Sequence, residues 1–224
     1  MSNTSSLSIE TPGRERLRRR GDARRLEILR AAGRIFRQRG YAQAGMRDIA
    51  AAAEISSGNL YHYFRGKHEI LYFCQDRTLD TMLQALASTR SSGGSALERL
   101  RQVLTAHVFT ILDDVEGTAA HLEVDALPAD LRTTIICKRD RYESGLRRLI
   151  GEVIHEERLP QRDPRIITRA MLGALNWTVR WYRPQGPASV KMVARELTDF
   201  LMGGLTASGD GGAAGAPGSQ GGRT

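Results

Sequence analysis

Residues 47–71 read RDIAAAAEISSGNLYHYFRGKHEIL, and the pattern is that of two short helices joined by a tight turn. Ile49, Ala50 and Ala53 fall on one face of the first helix, where small side chains let a second helix cross at close range. Ser56 and Ser57 then supply side-chain oxygens where a new helix must satisfy its free backbone N–H groups. The segment that follows, Gly58-Asn59-Leu60-Tyr61-His62-Tyr63-Phe64, mixes buried anchors with aromatic rings that carry polar tips. Such a helix is suited to face phosphates and base edges as well as a core, and the whole stretch has the shape of a helix-turn-helix.

The distribution of charge agrees with this reading. The chain has 224 residues and a formal net charge of +8. Residues 1–70 hold 14 Lys and Arg against 7 Asp and Glu, whereas residues 71–224 hold 19 against 18. The excess therefore sits on the part that carries the motif, as phosphate neutralisation requires. Charge alone also allows a helical binding module that contacts RNA or an acidic protein partner. Against that alternative stand the tight turn and the capped second helix, since RNA-binding modules usually present aromatic platforms on sheets.

Leu60-Tyr61-x-Tyr63-Phe64-x-x-Lys67-x-x-x-Leu71, preceded by Ile49-Ala50 and Gly40-Tyr41, resembles the DNA-binding signature of TetR-type repressors across residues 24–71. The resemblance implies that Tyr61, His62 or Tyr63 and Lys67 hold phosphates. It places Ser56, Ser57, Gly58 and Asn59 at the front of the recognition helix and Arg47 within reach of a base or phosphate. Two departures stand out. Ala44-Gly45 replaces the family's usual hydroxyl pair, which removes one side-chain cap. Glu54 occupies the turn position where the family usually has glycine, at a cost on the order of 1 kcal/mol if that backbone is left-handed.

Outward from the motif the periodicity is helical throughout. Residues 1–22 end in Arg14, Arg16, Arg18, Arg19 and Arg20 and read as a disordered basic arm. Ile28, Leu29, Ala32, Ile35 and Phe36 recur at helical spacing over Ala23–Arg39, and Gly40 ends that helix. Further helices are expected from Lys67 to about Thr89, over Ala96–Leu112, around Thr118–Asp125, over Ala129–Glu157, from Pro164 to about Tyr182, and over Ser189–Leu205. The Gly/Ala/Ser-rich residues 207–224 read as a disordered tail. The expected fold is all-α: a helix-turn-helix head over 23–68 and a larger ligand-binding and dimerisation body over 69–206.

In the body, AMLGALNWTVRWYRPQG (170–186) is the least ordinary segment. Trp177 and Trp181 share a helical face, so their rings are expected to line an apolar cavity, with Asn176, Arg180 and Arg183 supplying polar and cationic groups. The run is similar to one in a TetR-type subgroup that controls fatty-acid or sterol breakdown, which implies an acyl-CoA or similar amphipathic anion as effector. The same resemblance implies a homodimer through the last two helices, where Ala170, Gly173, Ala174 and Gly203-Gly204 permit close packing. The helix from Lys67 to Thr89 is the expected transmitter between effector and operator DNA.

Other functions find little footing. Cys74 and Cys137 form no metal-type pair, and their small number suits a reducing cytoplasm. No signal-peptide pattern and no membrane-length apolar run occurs. Glu152 and His155 have a Glu-x-x-His spacing without the second pair such a metal site needs. His107 and His121, with Asp113, Asp114, Glu123 and Asp125 nearby in sequence, read as ordinary surface or core residues. Neither a nucleophile elbow nor a phosphate loop is present, so no enzyme, metal or cofactor is expected.

Overall fold

The computed structural model describes residues 12–91, 93–112, 123–160 and 162–207, with side chains from Arg20 onward. Among the described residues the chain is all-α, built from eight α-helices and one 3-10 turn. The head consists of α1 (Pro12–Gln43), α2 (Met46–Ala52) and α3 (Ser57–Tyr63), and α4 (Lys67–Ser88) leads into the body. The body continues with α5 (Ala96–Leu112), the 3-10 turn Val124–Ala126, α6 (Ala129–Glu156), α7 (Pro164–Trp181) and α8 (Val190–Thr206).

The first helix begins earlier than its sequence suggests. Residues 12–22, expected within a disordered arm, are helical and continuous with the rest of α1. Arginine is a good helix former, and an arginine-rich run need not bury anything to extend a helix already nucleated by Ile28, Leu29, Ile35 and Phe36. Residues 1–11 and 208–224, which hold the rest of the arm and nearly all of the tail, lie outside the described residues. So do His121, Asp113 and Asp114; the described end of the helix expected over Thr118–Asp125 is the 3-10 turn. Gly40 interrupts α1 with φ 75°, and the chain folds back so that Tyr41 packs 5.3 Å from Phe36, ring centre to ring centre.

Head and body are joined by α4, whose 22 residues span about 33 Å. At its start Ile70 and Leu71 are buried, and further along Leu79, Met82 and Leu86 are buried too. Its crossing with α6 is close because a Cβ at Gly145 would lie 2.4 Å from Leu86 Cδ2. Lys138 on α6 ties the same pair of helices together, donating to Asp76 and to Asp80 at 2.7 Å. Ile136, one residue off the buried stripe of α6, is exposed, while Ile135, Tyr142, Leu146, Leu149, Ile150 and Val153 form that stripe.

Candidate functional site

The turn between α2 and α3 is fixed by backbone chemistry. The Ile55 N–H donates to the Ala50 carbonyl at 3.0 Å and the Glu54 N–H to that of Ala51 at 3.1 Å, the paired closure of a Schellman ending. That ending needs a left-handed residue, and Glu54 takes it with φ 54°. Carbonyls left over at the end of α2 are met from α1: Arg34 donates to Ala52 O at 3.2 Å and Arg24 to Ala53 O at 3.3 Å. At its start α2 has no side-chain cap on Gly45; instead the Asp48 carboxylate accepts from the Gly45 N–H at 3.0 Å, and Arg39 holds that carboxylate at 2.7 Å.

Ser56 caps α3, accepting from the Asn59 N–H at 3.1 Å. Leu60 is fully buried, and Phe64 packs edge-on against Phe73 at 5.8 Å. With those anchors inside, Gly58, Asn59, Tyr61 and His62 are left exposed, while Ser57 and Tyr63 are half-buried; Arg47 is exposed on α2. The residues expected to meet DNA are therefore all at least partly open to solvent, but Lys67 has its ammonium engaged by the protein's own backbone. Its ammonium donates to the carbonyls of Tyr41 and Ala42 at 3.0 Å and of Ala44 at 3.3 Å. It also lies 4.7 Å from the Tyr41 ring centre. An ammonium has three donors, and here Lys67 uses them to close the end of α1 against α4.

In the body, a cavity of about 240 Å³ lies among α4, α5, α6 and α7. Leu79, Met82 and Leu172 form its apolar lining, and Arg139, Arg169, Glu143, His107, Tyr142 and Asn176 its polar one. Arg169 pairs with Glu143 at 3.6 Å. Burial disfavours the charge of Arg139, which Asp125 partly supports. His107 Nδ1 lies 3.1 Å from the Tyr142 hydroxyl and Nε2 3.2 Å from Asn176 Oδ1. Burial holds the His107 pKa down at about 4, against the opposing pull of the Asn176 bond. The imidazole is therefore neutral at pH 7, and burial likewise raises the Tyr142 hydroxyl above its ordinary value.

Of the five residues expected at a ligand, only Asn176 lines this cavity. Trp177 and Trp181 are 61% and 49% exposed on the outward face of α7, and Arg180 is exposed beside them. Arg183 borders a separate cleft with Arg34 and Arg37. Four-residue spacing puts two rings on one helical face without saying which way that face points, and here the face turns away from this cavity. The outward face of α7 runs through Ile166, Ala170, Gly173, Trp177 and Trp181, and Phe200 on α8 is 76% exposed. Arg139, Arg169 and the His107–Tyr142 pair were missed. A signal existed for the pair: His107 interrupts the apolar stripe Val103, Leu104, Val108, Ile111, and Tyr142 carries the polar tip in that of α6.

Glu152 of the Glu-x-x-His pair is engaged elsewhere, accepting from Arg99 at 2.9 Å. Among the described residues no group of three or more His, Cys, Asp or Glu is placed to hold a metal ion, and no helix is long and apolar enough to cross a membrane.

Comparison with known proteins covers both halves of the chain. It is 28% identical over 191 residues to the HTH-type transcriptional repressor KstR2 of Mycobacterium tuberculosis, spanning 84% of this chain and 96% of that protein. The solved structure of that ketosteroid transcriptional regulator superposes with a TM-score of 0.73 at 26% identity, over 83% of this chain and 96% of the other. The TetR family regulator PfmR of Thermus thermophilus gives a TM-score of 0.70 at 30% identity, over 78% and 96%. AibR, solved with isovaleryl coenzyme A and operator DNA, shares the fold at 22% identity and a TM-score of 0.69, over 82% and 98%. Residues 28–72 match the tetR family of bacterial regulatory proteins, and residues 93–205 match the tetracyclin repressor-like C-terminal domain. With the helix-turn-helix head and the all-helical body in place, the chain belongs to the TetR family of bacterial transcriptional regulators.

Proposed function

We propose that this regulator represses transcription as a homodimer on a pseudo-palindromic operator and is released by an acyl-CoA or similar amphipathic anion bound among α4–α7. The observation that carries the reading is the continuity of α4. Its first residue, Lys67, is bonded into the head, and two turns of its far half, at Leu79 and Met82, form cavity wall. Whatever fills the cavity bears on the same rigid rod that sets the head. The apolar lining suits an acyl group, and Arg139 and Arg169 favour an anionic one.

Duplex DNA is favoured over RNA or an acidic partner by the names of the relatives, which are HTH-type repressors. Arg47, Ser57, Gly58, Asn59, Tyr61, His62 and Tyr63 are the proposed contacts, with Ser56 holding the front of α3 in place. The outward stripe of α7, with Phe200 of α8, is the proposed dimer seam, which gives Trp177 and Trp181 an apolar environment without a ligand. A two-fold seam of this kind sets the recognition helices about 34–36 Å apart, one turn of DNA.

The test is to select a duplex from random sequence with the full chain, then measure affinity for it with and without acyl-CoA thioesters of graded length. Effector binding should weaken the operator complex by about 5- to 150-fold. By linkage the thioester must then bind the DNA-free protein more tightly than the complex by the same factor. Equal affinity for both forms, or no effect at any chain length, would sink the effector reading and leave the operator reading standing. For the interface, Asn59→Ala should change base preference, whereas Tyr61→Phe should weaken binding to every sequence alike.

A further inference from the structure

One end of the body cavity is polar in a way that an alkyl chain would not use. His107, Tyr142 and Asn176 come from three different helices and meet there in a single hydrogen-bonded chain. His107 and Tyr142 are nearly inaccessible, at 2% and 4% exposure, and both line the cavity with Asn176. Asn176 Oδ1 can only accept, so the neutral imidazole carries its proton on Nε2 and takes the Tyr142 O–H on Nδ1. This leaves the two N–H donors of the Asn176 amide without a hydrogen-bond partner among the described residues. Running the chain in the opposite sense still leaves one Asn176 N–H spare and adds the Tyr142 O–H as a second free donor. The Asn176 amide would then donate to Nε2, Nδ1–H would donate to Tyr142, and the Tyr142 O–H would face the cavity.

Asn176 is half-buried on the cavity wall, so its spare amide donors open onto the cavity, and donors stripped of solvent by a ligand are costly unless the ligand meets them. We infer that the ligand which enters this cavity brings a hydrogen-bond acceptor to Asn176: the acyl group carries an oxo oxygen of its own and is not a plain saturated chain. The three-residue chain is then a specificity device. A saturated acyl group would leave the donors unmet when it displaces solvent from them, whereas a carbonyl oxygen restores the bond. The inference rests on the acyl-CoA reading of the cavity and adds to it the chemistry of the acyl end.

Calorimetry on the full-length protein tests it with matched pairs of thioesters: cyclohexanecarbonyl-CoA against its 3-oxo and 4-oxo derivatives, and octanoyl-CoA against oxo-octanoyl-CoAs substituted at C5 and C7. At least one oxo compound should bind about tenfold more tightly than its saturated partner, the worth of one well-placed bond. In Asn176→Asp, which keeps an acceptor for His107 but loses the amide donors, and in Asn176→Ala, the ratio within each pair should fall to near one. The ratio is read within one variant, so a general loss of stability does not mimic the result. Should saturated and oxo thioesters bind equally, the thioester carbonyl common to both could be the acceptor, and the inference falls while the acyl-CoA reading stands. Persistence of the preference in both Asn176 variants also overturns it. If no thioester of either kind binds, both readings fall together.

Discussion

The Lys67 ammonium lies 3.0 Å from the carbonyl oxygen of Tyr41, across 26 residues of sequence, and it stacks its charge on the ring of the same tyrosine. With Ala42 and Ala44 taking its other donors, it ties the end of α1 to the start of α4. Lys67→Ala should therefore cost about 1–3 kcal/mol of stability, since carbonyls lose a charged partner. A phosphate-binding lysine would behave differently, lowering by about one the slope of log affinity against log salt. Denaturant melting together with salt titration of operator binding separates the two: lost stability at an unchanged slope is the expected outcome.

Glu54 and Arg158 are the two non-glycine residues with positive φ among those described, at 54° and 51°, and each sits at the left-handed position of a helix ending. Replacing either with glycine removes strain on the order of 1 kcal/mol and returns part of it as unfolded-chain entropy. A net gain of roughly 0.5 kcal/mol is expected for each by equilibrium unfolding. Glu54→Gly should also raise operator affinity at low salt by removing a negative charge beside α3, whereas Arg158→Gly should leave it unchanged.

Trp177 and Phe200 are expected to be covered by a second copy of the chain. The double variant Trp177→Glu, Phe200→Glu should sediment as a folded monomer with unaltered helical circular dichroism, and its operator affinity should fall by about 100-fold or more, as loss of hot-spot aromatics does elsewhere. A dimer that persists in this variant would move the seam to another face.

Burial of His107 makes stability depend on pH. Its pKa is about 4 in the folded protein against 6.5 ordinarily. Between those values the unfolded chain binds a proton that the folded one refuses, so stability is full above pH 6.5 and drains away as pH falls towards 4. The slope attributable to this one group approaches about 1.4 kcal/mol per pH unit. His107→Gln should flatten that part of the stability curve in chemical denaturation between pH 7 and 4.5.

Much of the head was legible in the sequence. A serine cap at Ser56 or Ser57, buried anchors within α3, the break at Gly40 and the strained Glu54 all follow from local rules: capping, 3.6-residue periodicity and backbone sterics act within a few residues of each other, and the structure resolves the cap to Ser56 and the anchor to Leu60. For the same reason the ends of α5 matched the sequence expectation residue for residue, and those of α4, α6, α7 and α8 fell within one.

The body's chemistry was decided elsewhere. Whether Trp177 points inwards depends on how α7 is rotated against α5 and α6, and that rotation is set by the packing of all four helices together. The same holds for Lys67, whose partners are carbonyls more than 20 residues away, and for His107, Tyr142 and Asn176, which approach only when three helices close around the cavity. The sequence by itself determined that the chain is helical, where α4 to α8 begin and end to within a residue or so, and where the helix-turn-helix lies. Only the tertiary structure decided which cations are spent inside, which aromatic rings are left outside, and where a ligand finds room, because those are properties of surfaces that meet at long range.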